Sequence, residues 1–245
     1  MFGTCSHCER TFTKKYDEQI YCSVLCSNRS NLNHKNNVVL PSRYSEELAE
    51  FFGILLGDGS VTKYYMKIYL NLAVEREYAS FVHSLAEKLF VGATVTLHYR
   101  PARGTAEVQI SSVDVSRYLM SVGFDPKTRT IPSWITKNET YRYATTRGLF
   151  DTEGTMGIKY FSGKTKFSFY KQLTVTNTNP NILSFIKESL VRKGLRPSRT
   201  TKKNIYISNG LDIRKYMADI GSNNPKMLSK LQCQQIGKFT YGGVG

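Results

Sequence analysis

Two acidic residues end the two copies of a repeated motif, and their type and spacing suit metal-assisted chemistry. The first copy, 51–59, reads FFGILLGDG, and the second, 146–154, reads TRGLFDTEG. Two carboxylates held side by side repel each other unless a cation lies between them, and oxygen ligands at a wet site suit Mg²⁺. Such an ion can activate water for an in-line displacement. The sixth position of the motif is Leu56 in one copy and Asp151 in the other, so chemistry shared by both copies cannot depend on it. Asp58 and Glu153, at the eighth position, are therefore the predicted catalytic pair.

Four cysteines near the N-terminus form a second cluster with metal-ligand spacing. Their pattern is C-x2-C, thirteen residues, then C-x3-C, with the ligands Cys5, Cys8, Cys22 and Cys26. Two close pairs of thiolates suit tetrahedral Zn²⁺. The alternatives are two disulfides or four unrelated thiols, and the expected reducing compartment favours zinc. Metal binding would stabilise a segment too short to have much core of its own.

The repeated motif must lie on two helices that approach closely. Glycine inside a helix costs about 1 kcal/mol relative to alanine, so Gly53 and Gly57, four residues apart on one face, need a reason. Small side chains at Gly53, Gly57, Gly148 and Thr152 would let two backbones nearly touch. The contact would place Asp58 beside Glu153. A helix start at Ser45, followed by two glutamates, fits the first of these helices.

The repetition extends beyond the motif. Segment 114–123, DVSRYLMSVG, returns as DIRKYMADIG at 212–221, and a Pro-Lys dipeptide follows each copy. A period near 100 residues is too long for a solenoid, so two fused copies of one domain are predicted. Alternating apolar residues and short turns predict antiparallel strand pairs in each copy. The expected fold is α+β, with two pseudo-symmetric α-β-β-α-β-β-α repeats and a small four-cysteine, zinc-finger-like module. The predicted boundaries are 1–30 for the module, 31–44 for a linker, 45–136 for repeat 1 and 137–245 for repeat 2.

Composition restricts the class of partner. The chain of 245 residues has a formal net charge of +15 and a pI near 9.6. An extended basic surface predicts that the binding partner is a polyanion. Nucleic acid is favoured over a membrane as this partner because no apolar run approaches the ~18 residues of a spanning helix. No apolar signal segment precedes the first cysteines. The expected location is therefore intracellular: the cytoplasm of a prokaryote or of a phage-infected cell, or an organelle.

With both motifs, both Pro-Lys dipeptides and the strand pattern in place, the chain resembles the two-repeat LAGLIDADG homing endonucleases over roughly residues 46 to 236. The resemblance implies a saddle of antiparallel sheets along the DNA major groove and Mg²⁺-dependent cleavage of both strands that leaves short 3′ overhangs. It also implies that Lys127 and Lys226 lie close to the catalytic centre. The backbone carbonyls of Gly57 and Thr152 are further candidate Mg²⁺ ligands. A monomer is expected, because one chain carries both halves of the site.

Strand phase predicts the residues that contact DNA. Arginine and glutamine can read base edges, whereas most lysines are expected to bind phosphates. The resemblance also matches Asn71 with Thr174 as corresponding polar strand positions. Because the two halves differ in these residues, an asymmetric target is expected. The candidates are Lys67, Tyr69, Asn71, Thr96, His98, Arg100, Glu107 and Gln109 in the first repeat, and Lys159, Lys166, Tyr170, Gln172, Thr174, Arg199, Lys202 and Lys203 in the second.

Two other functions stay open at this point. The first is an RNA-binding maturase that helps a host intron fold, and the second is a DNA-binding regulator that has lost cleavage. The presence of Asp58, Glu153, Lys127 and Lys226 argues against that loss. A freestanding or intron-encoded enzyme is expected rather than an intein, because no splicing blocks surround the nuclease-like region. The four-cysteine module could extend the DNA footprint, bind a protein or cap the chain.

Overall fold

The structure is a computed structural model that describes residues 1–33, 37–162 and 167–232. It divides into two compact units, Met1–Val39 and Leu40–Gly245. The division falls inside the predicted linker 31–44, and the remaining predicted boundaries stay predictions. Within the described ranges, no helix is both long enough and apolar enough to span a membrane.

The N-terminal unit is a small hairpin followed by a helix. Strands β1 (Phe2–Thr4) and β2 (Thr11–Thr13) pair in an antiparallel manner, with Phe2 opposite Thr13, and α1 spans Val24–Asn33. The turn between the strands includes Glu9 in the left-handed region, with a φ of 58°. The first two cysteines lie in this turn, Cys22 precedes α1 and Cys26 lies in its first turn.

The second unit contains the same element order twice. The first copy consists of α2 (Glu46–Asp58), β3 (Gly59–Val61), β4 (Met66–Asn71), α3 (Arg76–Leu89), β5 (Thr94–Arg100), β6 (Thr105–Ser111) and α4 (Val113–Ser121). After the short helix α5 (Ser133–Thr136), the second copy consists of α6 (Glu139–Glu153), β7 (Gly154–Ser162), β8 (Phe167–Thr176), α7 (Pro180–Arg192), β9 (Arg199–Thr200), β10 (Asn204–Ile207) and α8 (Gly210–Asp219), and α9 (Pro225–Gln232) follows. The predicted α+β class with a duplicated α-β-β-α-β-β-α order is confirmed.

Each copy builds one four-stranded antiparallel sheet. The strand orders are β3-β4-β6-β5 and β7-β8-β10-β9, which is the same arrangement in both. In the first sheet Met66, Ile68 and Leu70 are buried, while the residues between them face the opposite side. Alternation thus gives each sheet one apolar face in the core and one polar face.

Apolar residues alternate with others from Met66 to Val74 and predict one strand over that whole range, but this prediction was wrong. Strand β4 ends at Asn71, and Val74 is 54% exposed. The chain turns there because the Glu75 carboxylate accepts a hydrogen bond from the Asn71 backbone N–H at 2.8 Å.

Helices α2 and α6 form the centre of the unit. Ser45 accepts a hydrogen bond from the Leu48 N–H and begins α2, and Asn138 accepts from the Tyr141 N–H and begins α6. The two helices touch through their glycines. A Cβ on Gly53 would lie 2.3 Å from the Thr145 carbonyl oxygen, and one on Gly148 would lie 2.4 Å from the Glu50 carbonyl oxygen. The backbones are therefore too close for any larger residue at either position.

Candidate active site at the ends of the central helices

The two predicted catalytic acids are the last residues of the two central helices. Asp58 ends α2 and Glu153 ends α6. A Cβ on Gly57 would lie 2.2 Å from the Thr152 Oγ1 and 3.4 Å from the Glu153 Cγ, so the helix ends are in contact. The close glycine packing thus brings the two carboxylates together, as the sequence predicted.

Burial changes the charge state of this pair. The pKa of Asp58 is raised to about 7, mainly by burial and also by the negative charges of Glu153 and Glu75, whereas Lys226 and Arg129 oppose the shift. Burial also raises the pKa of Glu153, against a hydrogen bond from Asn177 and the charge of Arg129. The Asn177 Nδ2 donates to the Glu153 Oε1 at 2.9 Å. A divalent cation between these oxygens would compensate the repulsion that a second negative charge creates.

The two predicted lysines occupy different environments. The Lys226 side chain is 18% exposed, and its ammonium donates to the Glu75 Oε1 at 2.6 Å, beside Asp58. Lys127 is exposed, and its backbone N–H donates to the Asp125 Oδ1 at 2.8 Å. The structure thus brings Lys226 close to Asp58, while it shows no contact between Lys127 and either acid.

Arg129 is a site residue that the sequence reading missed. Its guanidinium donates to the carbonyl oxygens of Leu56 at 2.7 Å, Gly57 at 2.8 Å and Gly59 at 2.9 Å. The predicted metal ligand at the Gly57 carbonyl therefore already accepts one hydrogen bond. Arg129 has a φ of 48°, which is rare for a residue with a side chain. Its position in the second repeat is Leu228, so repetition gave no signal for it.

A buried polar network surrounds the end of α6. Asn224 is fully buried, and its Nδ2 donates to the Asp151 carbonyl oxygen at 2.8 Å and to the Glu75 Oε1 at 3.2 Å. Its Oδ1 accepts from the Lys226 backbone N–H at 3.0 Å. Asn224 therefore joins the helix end, Glu75 and Lys226 in one arrangement. Glu75, Asn177 and Asn224 lie after strands or helices, without counterparts of their own type in the other repeat.

Asp151, at the sixth motif position, points away from this chemistry. Its side chain is fully buried and accepts hydrogen bonds from the Ser222 hydroxyl and from the Asn223 N–H, the latter at 2.8 Å. Burial raises its pKa to about 7, with Glu50 adding to the shift and the hydrogen bonds and Arg147 opposing it. Arg147 in turn pairs with Glu50 at 2.7 Å. Asp151 thus connects α6 to the segment between α8 and α9.

The first sheet presents its predicted contact residues on one face. Lys67 lies opposite Gln109, which lies opposite Thr96, and Tyr69 lies opposite Glu107, which lies opposite His98. All eight candidates share the polar face, the others being Asn71 and Arg100. Lys67 and Glu107 pair at 2.5 Å, so one positive charge on this face is already neutralised within the protein.

The second sheet shows a similar arrangement over the residues described. Lys159 lies opposite Tyr170, and Thr174 lies opposite Thr155 on one side and Tyr206 on the other. The Gln172 amide donates to the Ser208 hydroxyl at 2.9 Å. Arg199 pairs with Tyr206 through the backbone, and Lys202 and Lys203 lie in the turn before β10. Lys166 and the side chain of Arg199 lie outside the described residues.

The predicted match between Asn71 and Thr174 was wrong. After α2, Ser60 pairs with Lys67, and after α6 the equivalent residue Thr155 pairs with Thr174. Thr174 therefore corresponds to Lys67. The predicted correspondence failed because the hairpin of β7 and β8 is longer than that of β3 and β4. No single difference in residue number therefore relates the two repeats.

The four cysteines of the N-terminal unit form one cluster. Their sulfur atoms all lie within 4.8 Å of one another, and the Cys8 Sγ is 3.6 Å from the Cys22 Sγ, which is 3.5 Å from the Cys26 Sγ. A tetrahedron of thiolates about 2.3 Å from zinc has edges of about 3.8 Å. All four are free thiols rather than disulfides. The donor set and its spacing fit a zinc ion.

Comparison with known proteins identifies the fold. No family model matches the chain. The meganuclease I-SmaMI, in a structure with uncleaveable DNA, is 8% identical with a TM-score of 0.53, and the match covers 79% of this chain and 88% of that one. The LAGLIDADG meganuclease I-AabMI, bound to uncleaved DNA, is 12% identical with a TM-score of 0.51, over 77% of this chain and 88% of that one. The chain has the LAGLIDADG meganuclease fold.

A curated relative matches by sequence over part of its length. The replication factor C small subunit of Methanocaldococcus jannaschii is 27% identical over an alignment of 202 positions that covers 78% of this chain. The chain spans only about a tenth of that protein. The fold therefore rests on the structural matches.

Proposed function

We propose that the chain is a site-specific DNA endonuclease that hydrolyses one phosphodiester on each strand of a long, asymmetric duplex. The single observation that carries this proposal is the pair Asp58 and Glu153 at the touching ends of α2 and α6. The structural neighbours with the same fold are meganucleases bound to DNA, which supports the same substrate class here.

The acid pair is the proposed Mg²⁺ site. When bound, Mg²⁺ supplies Lewis-acid activation of water and stabilisation of the leaving 3′ oxygen. The hydrogen bond from Asn177 fixes one carboxylate oxygen of Glu153, and the bonds from Arg129 fix the helix end that carries Asp58. Lys226, held by Glu75, places an ammonium where it would offset phosphorane charge. Lys127 remains a candidate for the same role on the other strand.

The polar sheet faces are the proposed DNA-binding surfaces. Lysine, glutamine and tyrosine side chains lie on both polar faces in the part of the chain that the structure describes, Arg100 lies on the first, and the net charge of +15 suits a polyanion. Gln109 and Arg100 on the first face are of the residue types that read base edges, and Lys159, Lys202 and Lys203 suit phosphates. Because the faces carry different residues, the two half-sites of the target differ.

The cysteine cluster is the proposed structural zinc site. Four thiolates leave no open coordination position, which is typical of a structural rather than a catalytic zinc. We further propose that the chain acts as a monomer inside the cell, and that intron RNA is the partner to test if DNA fails.

The test is selection from a randomised duplex library, followed by sequencing of the cut ends. Wild-type protein is incubated with Mg²⁺ for cleavage and with Ca²⁺ for binding, beside Asp58→Asn and Glu153→Gln. Both amides are isosteric, and they remove a charge that burial already disfavours. Asp114→Asn is the matched control, because Asp114 is exposed and pairs only with Arg117 in the same helix, among the residues described.

Cuts on both strands at one long asymmetric sequence are expected from the wild type and from Asp114→Asn. Each active-site variant should lose at least about 10²-fold in cleavage rate while it still binds. Sequence-specific binding in Ca²⁺ with no ends in Mg²⁺ would identify a DNA-binding regulator instead. Neither binding nor cleavage of DNA, with binding of intron RNA, would identify a maturase.

A further inference from the structure

Most glycines in the described part of the chain have a structural reason. Gly53, Gly57, Gly148 and others would push a Cβ into a neighbouring backbone or side chain. Five more have a positive φ, where glycine is favoured: Gly92, Gly104, Gly123, Gly194 and Gly221. Gly157 and Gly210 differ from both groups, because a Cβ there meets nothing within 4 Å and neither φ is positive.

Gly157 lies in the middle of a strand, where glycine is unfavourable. It belongs to β7 and pairs with Gln172 in an unbroken register from Gly154 to Ser162, so no bulge explains it. Glycine in a strand interior weakens the strand, since it loses more backbone entropy and has no side chain to pack. The remaining common reason for such a glycine is close approach of a ligand or another backbone.

The position of Gly157 in the sheet indicates which ligand would approach it. Met156 is buried on the core side, so Gly157 lies on the polar face together with Thr155 and Lys159. Lys159, two residues along the same strand, is exposed. Gly157 is four residues from Glu153, or about 13 Å along an extended strand. The missing side chain therefore opens a gap in the proposed DNA surface, between the acid pair and a basic residue.

We propose that Gly157 is a position of close approach to the DNA duplex, where the absent side chain leaves room for the nucleic acid against β7. The inference rests on the proposed function and adds to it a residue that determines fit to the target. Gly210 offers a matched control, because it is equally open but lies at the start of α8 rather than on the sheet face.

The test compares stability with binding in Gly157→Ala, Gly157→Leu, Gly210→Ala and Gly210→Leu. Thermal unfolding is measured for each, and binding is measured as retention of a randomised 30-base-pair duplex library in Ca²⁺. Gly157→Ala and Gly157→Leu should unfold at or above the wild-type temperature. Gly157→Leu should bind the library at least tenfold more weakly than the wild type, and Gly157→Ala should show a smaller loss of binding. Both Gly210 variants should bind like the wild type.

Each departure from this pattern has a separate meaning. If Gly157→Ala lowers the unfolding temperature, the glycine has a structural role and the inference is wrong. If the wild type binds and Gly157→Leu binds equally well, the inference fails while the proposed function stands. If the wild type binds no duplex, the proposed function fails, and the inference fails with it.

Discussion

The two repeats share their backbone plan but differ in the groups that surround each helix end. In the first repeat, the carbonyl of Leu56 accepts from the guanidinium of Arg129. In the second, the equivalent carbonyl of Asp151 accepts from the amide of Asn224. The same structural need is thus met by unrelated side chains. Symmetry of the fold therefore does not extend to the surroundings of the two acids.

One pair of equivalent residues explains much of this difference. Asp125 and Asn224 each precede a Pro-Lys dipeptide and accept a hydrogen bond from the lysine N–H, at 2.8 and 3.0 Å. A carboxylate can only accept, whereas an amide can also donate. Asn224 uses its donors to hold Glu75, which in turn binds Lys226. Asp125 has no donor, and Lys127 remains exposed.

Exchange of these two residue types gives the largest expected effect. Asn224→Asp would place a buried carboxylate against two acceptors, Glu75 and the Asp151 carbonyl, and should cost about 3–5 kcal/mol in the free energy of unfolding. Asp125→Asn, at the equivalent but only half-buried position, should change it by less than about 1 kcal/mol. Urea unfolding at neutral pH measures both. Equal losses of unfolding free energy in the two variants would contradict the proposed difference between a buried, donating Asn224 and an accepting Asp125.

The contact between α2 and α6 should not tolerate a larger residue in place of glycine on either helix. Alanine normally stabilises a helix relative to glycine by about 1 kcal/mol, but here its methyl group would meet a backbone carbonyl. Gly53→Ala and Gly148→Ala should each destabilise the chain by about 3 kcal/mol. Gly210→Ala is the control and should be neutral or stabilising. Thermal or urea unfolding decides, and a stable Gly53→Ala variant would contradict the close packing.

The sixth motif position should give the second repeat a pH dependence that Leu56 cannot give the first. The folded pKa of Asp151, about 7, lies above its ordinary value of 3.8. The folded state therefore favours the protonated form, and this stabilisation decreases as pH rises from about 4 through 7. Relative to Asp151→Asn, the wild type should lose on the order of 2 kcal/mol in unfolding free energy between about pH 5 and 7. A constant difference across that range would show that Asp151 does not titrate there.

The smallest expected effect concerns the two lysines. Given the proposed function, Lys226→Met should slow cleavage about tenfold, or ~1.4 kcal/mol, because it removes an ammonium beside the acid pair. Lys127→Met should change the rate by less than about twofold if its exposed position persists with DNA bound. Single-turnover cleavage of the selected target, followed by separation of nicked and linear products, measures both. Equal effects would mean that DNA binding brings Lys127 into the site.

Local signals in the sequence predicted most of the fold. The cap at Ser45 places the start of α2 where the structure has it, and the run Pro-Ala-Arg-Gly at 101–104 is typical of the turn that the structure has between β5 and β6. Repetition located Asp58 and Glu153. Arg129 and Asn224 were missed because their contacts cross about 70 residues or more of chain and neither has a counterpart of its own type. Register could not be transferred from one hairpin to the other, since their lengths differ.

The contact between α2 and α6 also determines how the two halves could be exchanged between proteins. At its centre, main-chain atoms around Gly53 and Gly148 meet, and the Thr145 hydroxyl donates a hydrogen bond to the Ala49 carbonyl. Main-chain atoms are the same in every protein, so this contact carries little information about which partner half is present. A half from another protein of this fold would need small residues on its helix rather than a matching set of large side chains. The central contact would therefore accept many different halves. Whether two particular halves fit together would depend on peripheral pairs such as Arg147 with Glu50.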